Sequence, residues 1–388
     1  MAMNDLSVEQ VYSILNGIYA QATGTAALTG VNSKDFVSIA TTTLKTGYDQ
    51  TLNAISQVLA DTIFSVRPYT AKFKGLQVTS QRWGNHTRKL SSVDKPAVPN
   101  GEYTLTDGVG YDPFVVNKPA VIQTNFYSQN TFKKVMTVFD NQLDVSFSSA
   151  EQLGSFITMI MTNMSDTLEQ SRESLARGAI ANFIGGKCAA NNGVIHLLTE
   201  YNTATGLALT GTTVRQPANF VPFMKWVYGR IKTLAMMMSE RSTLYHINIT
   251  GSEIARHTPA DRLKVYMLAS EINDVDASVL SGAFNDEYLK LVDYEPVSYW
   301  QAIQSPSSIE VAASWMKADG TIDTQGSAVQ VDDILGVMFD EDAIGINFYD
   351  QTTTTDRNGA YRYTNWNFFE NQRYWNDFTE NGLVLKID

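Results

Sequence analysis

The side chains that could do chemistry are few and badly spaced for it. The four histidines, His86, His196, His246 and His257, lie far apart, and none stands in an HExxH or His-x-His arrangement. A metal site built from them is not expected, because ligands on one element need a spacing that brings them to one face. Gly185-Gly186-Lys187 has the outline of a phosphate loop, but Cys188 occupies the place of the required Ser or Thr and the glycine spacing is wrong. It reads as a helix stop. No Gly-x-Ser-x-Gly elbow is present, so that class of hydrolase lacks its nucleophile. Cys188 needs a nearby base and an electropositive setting to react, and is expected to be an inert buried thiol. Asp274 and Asp276 lack the glycine and terminal Glu of a calcium loop. Asp340-Glu341-Asp342 sits between two strand-like runs and reads as a solvated turn. The run Arg82-Trp83-Gly84-Asn85-His86-Thr87-Arg88-Lys89 has the types that stack and hold a single-stranded base, yet it is short and lies in an acidic protein. No catalytic residue, cofactor or metal follows from these patterns.

The elements around these residues are more informative. Ser148 and Glu151 form a capping-box signature, and Leu153, Ile157, Ile160, Met164, Leu168, Leu175 and Phe183 then recur on a helical period. The spacing predicts one helix over 149–184, ended by Gly185-Gly186. At roughly 1.5 Å per residue it would run about 50 Å. Glu169 with Arg172 and Glu173 with Arg177 are spaced for ion pairs along it. Gly154 and Gly178 inside it each cost about 1 kcal/mol relative to Ala unless close packing compensates. A single stripe without sustained heptads makes it a spine for a sheet rather than a coiled coil.

A first helix is expected over 5–20, with Val8, Val11, Tyr12, Leu15 and Tyr19 on one face, and an intermittent helix from Phe36 to Leu59. Phe73 to Val93 alternates as a long strand, and Phe114 to Tyr127 returns as a second, with dense turn signals between. A lone hairpin of that length is marginal in water unless something covers it, which makes it a candidate intersubunit element. Asn219, with Pro222 in its first turn, opens a helix carrying Phe223, Val227, Ile231 and Leu234. Met236-Met237-Met238 ends it as adaptable core filling. Leu244 to Thr250 reads as a short strand and Thr258-Pro259-Ala260-Asp261 as a capped helix start. Further strands are expected at Tyr288 to Val292, Ile334 to Phe339, Ala343 to Phe348 and Leu383 to Ile387.

The chain has 388 residues, 44% apolar and 18% charged, enough for a substantial core. Its single cysteine excludes an intrachain disulfide framework and fits a reducing cytoplasm. The first residues carry neither a basic nor an apolar signal region, and no apolar run approaches the length of a membrane span. The net charge of −11 argues against a generally basic, phosphate-gripping surface. The charge is uneven: six Lys/Arg and one acid lie between Lys72 and Lys95, whereas fifteen acids face only Lys290 and Lys317 between Tyr266 and Asp342. A basic stretch and an acidic stretch on one chain can complement a second copy of it, and charge alone equally allows two solvated faces of a monomer.

Arm helix, long basic hairpin, spine helix, α+β unit and returning strand, in that order, resemble the major capsid proteins of tailed double-stranded-DNA phages, whose shell fold is shared with encapsulins. The stretches carrying the likeness are Thr62 to Tyr69, Arg82 to Lys95 and Gly336 to Ala343. The resemblance implies an α+β fold of the Hong Kong phage type: an N-terminal arm (1–70), an extended β-hairpin loop (71–127), a peripheral domain with the spine helix (128–219), an axial domain (220–345) and a return to the peripheral domain (346–388). It implies a structural protein, not an enzyme, that self-assembles as hexamers and pentamers into an icosahedral shell around phage DNA, without sequence-specific binding and without a membrane. A separate scaffold protein, a portal and a decoration protein are the implied partners, with assembly in the bacterial host cytoplasm and the finished protein in the virion. Lys72, Lys74, Arg82, Arg88, Lys89 and Lys95 become the candidate intersubunit contacts. An encapsulin-like cargo shell and an unrelated soluble enzyme are the alternatives.

Overall fold

Strand Ile334–Asp340 is buried at all seven positions, as its nearly unbroken apolar run demands of a strand covered on both faces. A computed structural model describes residues 73–77, 87–93, 120–127, 130–139, 150–273 and 294–388, with isolated positions between 107 and 118. The helices expected over 5–20 and 36–59, the cap at Ser148, the strand at 288–292, and Lys72, Arg82 and Lys95 lie outside the described residues.

The strands and helices in chain order are β1 (Thr87–Val93), β2 (Ala120–Phe126), β3 (Asn130–Phe139), α1 (Ala150–Ala190), β4 (Val194–His196), α2 (Leu197–Thr205), α3 (Gly211–Val214), α4 (Pro217–Ser239), β5 (Leu263–Leu268) and β6 (Glu295–Val297). Then come β7 (Ile309–Val311), β8 (Ser314–Met316), β9 (Ile322–Thr324), β10 (Val329–Val331), β11 (Ile334–Asp340), β12 (Ile344–Asn358), β13 (Tyr363–Asn376) and β14 (Gly382–Lys386). They fall into two units. One holds the described residues of 73–77, 130–175 and 346–373; the other holds those of 87–127, 176–345 and 374–388. The 41-residue α1 contributes to both.

In the first unit a sheet of order β12-β13-β3 is built on antiparallel pairing of β13 with β3, from Tyr363 opposite Phe139 to Gln372 opposite Asn130. Residues along β3 alternate between exposed and covered, the period-2 signature of a sheet with one solvated face. On the covered face Lys134 donates to the carbonyl and side-chain oxygens of Asn163, both at 3.0 Å, and to the Thr167 hydroxyl. Arg172 of α1 pairs with Glu169, as the sequence spacing predicts (2.9 Å), and with the fully buried Glu370 of β13 (2.5 Å). Its guanidinium also lies over the Phe348 ring, so one planar cation supplies the counter-charge to two buried carboxylates.

In the second unit the sheet order is β4-β14-β11-β5-β6, with β11 antiparallel to both neighbours and parallel pairs at each edge. One face, through Val265, Met267, Met338 and Leu385, packs on α2 and α4. On the other, Tyr266 stacks on Phe339, and the Phe183 ring of α1 lies against Phe339 and stacks on Phe378. Gly382 makes room for that ring, since a Cβ there would stand 2.4 Å from Phe183 Cζ. The pairs β7–β10 and β8–β9 complete the unit. The Asn182 side chain of α1 both donates to and accepts from the backbone of Ser314.

Several expectations are corrected here. Gly185-Gly186 does not end α1. A Cβ at Gly185 would meet Val311 and Ala313 at 2.6 and 2.9 Å, and one at Gly186 would meet Phe378 at 2.6 Å, so these glycines serve close packing within the helix. The stop comes after Ala190, at Asn191 and Gly193 with φ of 47° and 70°. Of the long strand expected from Phe73, the described residues include Thr87–Val93, whereas Lys74–Leu76 is a 3-10 turn in the other unit, anchored by buried Phe73 and Leu76. Thr258-Pro259-Ala260-Asp261 starts no helix: the Pro259 carbonyl accepts from Arg262 and Leu263, closing one turn, and β5 begins at once. Its apolar residues gain more in the sheet core than the cap offers a helix. Residues 244–250 form irregular chain rather than a strand. Helix α4 begins at Pro217, ahead of Asn219, so Pro222 falls inside it. Of the methionine run only Met238 fills core; Met236 and Met237 are 66% and 43% exposed. Arg177 places its guanidinium 3.8 Å from the Tyr299 ring centre and donates to the Tyr299 carbonyl.

The fully buried Lys187 of α1 donates to Asn192 Oδ1 (3.0 Å) and the Tyr245 carbonyl (3.1 Å). Burial pushes its ammonium down to about 7, against the opposing field of the Asp377 carboxylate. Among the described residues no helix is long and apolar enough to cross a membrane, and no group of three or more His, Cys, Asp or Glu could hold a metal ion. Cys188 is half-buried, and burial pushes its thiol up to about 11, far from a nucleophilic thiolate.

Two predictions follow from this packing. Gly178 has open space around the Cβ position, so Gly178→Ala should stabilise the protein by up to about 1 kcal/mol. Gly185→Ala, on the same helix, should destabilise it by about 1–3 kcal/mol through overpacking; denaturant midpoints compare the two. Because the folded-state pKa of Lys187 lies below its unfolded value, the unfolded chain binds the extra proton between about pH 7 and 10.5. The penalty is therefore full below that window and gone above it. Relative to Lys187→Met, the wild-type chain should gain stability as pH rises from 7 to 10, measured by thermal unfolding at each pH.

Candidate assembly interface

Strands β1 and β2 pair antiparallel over seven residues each, from Thr87 opposite Phe126 to Val93 opposite Ala120. Because side chains alternate along a strand, this register sorts the ribbon into two faces. Lys89, Ser91, Ile122 and Phe126 share one face; Arg88, Leu90, Ser92, Val121 and Gln123 share the other.

The first face is tied to the rest of its own unit. Lys89 Nζ lies 2.5 Å from Asp377 and also bonds Glu380. Arg256 reaches the same Glu380 at 3.3 Å, donates to the Ser91 hydroxyl at 3.0 Å, and donates to the Thr379 carbonyl. Phe126 lies against Trp375, with ring centres 6.4 Å apart. The acceptor turn is itself well fixed: Asp377 takes hydrogen bonds from the Thr379 amide and hydroxyl, and Asn381 is joined to His246. The Asp377 and Glu380 side chains are 2% and 9% exposed. Burial raises the Glu380 carboxyl above its usual range and the Asp377 charge adds to this, while Lys89 and Arg256 pull it back down. His246 is buried with its imidazole pushed below its usual range by burial, although Asn381 and the Ile254 carbonyl both support the charged form.

The second face is open. Leu90 and Val121 are 58% and 61% exposed, and Arg88 is exposed beside them. Phe114 and Val116, between the two strands in sequence, are also exposed. By the register Leu90 and Val121 are diagonal neighbours on this face.

The six candidate cations thus separate. Lys72, Arg82 and Lys95 lie outside the described residues; Lys74 belongs to the 3-10 turn of the other unit; Arg88 and Lys89 stand on opposite faces of the ribbon. The sequence did not bring Lys89 together with Asp377, Glu380 and Arg256, because those partners are 167 to 291 residues away (256 − 89 and 380 − 89). Leu90 and Val121 were detectable as alternating strand positions once the register was known.

Comparison with known proteins bears on what this surface serves. The family model for the Phi29-like phage major capsid protein matches residues 13–386. No curated protein gives a significant match. Among solved structures, a chain of the capsid structure of Staphylococcus phage Andhra is similar, with a TM-score of 0.55 at 9% identity, covering 83% of this chain and 86% of that one. A chain in the structure of head fiber and inner core protein gp22 of native bacteriophage P68 is similar too, with a TM-score of 0.56 at 9% identity and the same coverage of 83% and 86%. At such identity these likenesses establish the fold, the mixed α+β fold of tailed-phage capsids. With the family model spanning nearly its whole length, the chain belongs to the Phi29-like phage major capsid protein family, and it is a structural component of a phage capsid shell assembled from copies of itself.

Proposed function

We propose that this capsid protein builds its shell from hexamers and pentamers, through contacts in which the outer face of the β1–β2 ribbon is laid on a neighbouring copy. What supports this is the exposure of Leu90 and Val121 on the face opposite Lys89. A two-stranded ribbon is marginal by itself, and covering two such side chains contributes about 1.5–3 kcal/mol each. Repeated over every copy, that is enough to matter for a closed shell. Arg88 on the same face, with Lys72, Lys74, Arg82 and Lys95 in the same basic stretch, meets acidic surface of the neighbour, which an overall charge of −11 makes available.

On this reading residues 1–70 are an N-terminal arm, 71–127 the extended loop, 128–219 a peripheral domain on its spine helix, 220–345 an axial domain and 346–388 the return to the peripheral domain. The role is mechanical and not catalytic. The shell encloses double-stranded DNA without reading its sequence, and an acidic wall favours packing and release over retention. A separate scaffold protein, a portal and a decoration protein complete the particle, which assembles in the cytoplasm of the bacterial host.

Negative-stain electron microscopy with sedimentation velocity tests this directly. Closed hollow particles or capsomers are expected from the purified chain, with or without co-expressed scaffold; a strictly monomeric species under all those conditions would overturn it. Leu90→Ser and Val121→Ser should keep the circular dichroism of the subunit yet lower the assembled fraction by about tenfold, in line with an apolar interface anchor. Particles at wild-type yield from both variants would remove the ribbon's outer face from the interface. Purified shells should bind linear duplex DNA only weakly at physiological salt, and tight retention in a filter assay would contradict the acidic-wall account.

A further inference from the structure

The β1–β2 ribbon is a two-stranded sheet that no third strand joins among the described residues. Backbone pairing therefore does not orient it, and the side chains of its inner face must. Among the described residues its contacts include the Phe126–Trp375 ring contact, the Arg256–Ser91 hydrogen bond, and the bonds of Lys89 to Asp377 and Glu380. The last differs in kind. It sets a 23%-exposed ammonium against two nearly buried carboxylates on one turn. Removing one member of a buried charge set is far more costly than the set is stabilising, because the remaining charges are left uncompensated.

We propose that Lys89 is the clasp that fixes the hairpin on its own subunit, so that the inner face is committed within the chain and the outer face is held out, preset, for a neighbouring copy. The consequence for assembly rests on the proposed role of the outer face, but the clasp itself stands on intrachain geometry. Among the described residues the charged and titratable groups facing the 377–381 turn are Lys89 from β1, Arg256 from the segment before β5, Lys187 from α1, whose ammonium feels Asp377, and His246 through Asn381. Without Lys89, Arg256 is the remaining cation that faces Glu380 directly among the described residues, and the carboxylates of Asp377 and Glu380 repel. The strain is relieved either by lifting the ribbon, which admits water to the turn, or by taking up a proton. The sign follows: burial already raises Glu380, losing Lys89 raises it further, so a ribbon docked without Lys89 binds a proton that a lifted one releases. Acid should then restore docking in a Lys89 variant.

Hydrogen–deuterium exchange on the full chain, corrected for intrinsic rates at each pH, reads this out. In Lys89→Met, residues 87–93 and 120–126 should exchange at least about tenfold faster at pH 7.5 while 334–340 and 382–386 keep their protection, and the ribbon should recover toward wild type at pH 5. Lys89→Arg, which keeps the charge, should stay within about twofold of wild type. Ribbon exchange unchanged in Lys89→Met, or faster exchange with no recovery in acid, would overturn the proposal. If Lys89→Met loses protection throughout the five-stranded sheet, the combined Lys89→Met/Glu380→Gln variant decides: restored protection supports the charge account and its absence overturns it. Leu90→Ser separates the two readings, because it should impair assembly while leaving ribbon exchange in the unassembled chain as in wild type. Normal assembly of Leu90→Ser with a lifted ribbon in Lys89→Met would sink the interface and keep the clasp.

Discussion

Close approach of α1 to its surroundings is the constraint on which the second unit depends. The helix meets β14 and the segment from Val311 to Trp315 so tightly that a methyl group does not fit at Gly185, Gly186 or Gly382. Glycine at those positions carries a cost in backbone entropy, and the return is stacking of Phe183 into the aromatic group of Phe339 and Phe378. With α2 and α4 on the opposite face, the sheet is covered on both sides. That is why β11 tolerates no polar residue before its terminal Asp340.

Charge follows a second rule in both units: buried ions sit in small closed sets. Arg172 serves Glu169 and Glu370, and Lys89 and Arg256 serve Asp377 and Glu380. Each set joins segments distant in sequence, and removing one partner costs more than the intact set contributes, because the remaining charge is left uncompensated. For a shell protein this division is useful. Cations used internally are unavailable for indiscriminate contacts, and strand register places Arg88 and Lys89 of the basic stretch on opposite faces of the ribbon.

Local signals were dependable where one physical effect dominated and misleading where two competed. The long period of α1 was legible because its apolar stripe has no competitor, and its Glu169–Arg172 pair was fixed by helical spacing alone. The Thr258 cap signature failed because five residues later β5 had a partner strand, and pairing with β11 outweighs a cap. Gly185-Gly186 has the same sequence appearance whether it ends a helix or lets a neighbour approach; only the position of Val311 and Phe378 distinguishes the two. The Met236-Met237-Met238 run shows the limit of composition, since one helical turn places its members on different faces.

By itself the sequence determined the class of molecule: an acidic α+β chain with a long helix, a basic hairpin and no constellation of catalytic or metal-binding residues. Those properties follow from periodicity, composition and short-range spacing, which the chain carries locally. Tertiary structure alone decided which side of the hairpin is spoken for. Lys89 and Leu90 are adjacent, and nothing between them in sequence says that one is clasped by a turn nearly three hundred residues away and the other faces water. That assignment depends on strand register and on where β13 delivers Asp377 and Glu380. Both are settled by long-range packing, and a one-residue slip would have reversed them.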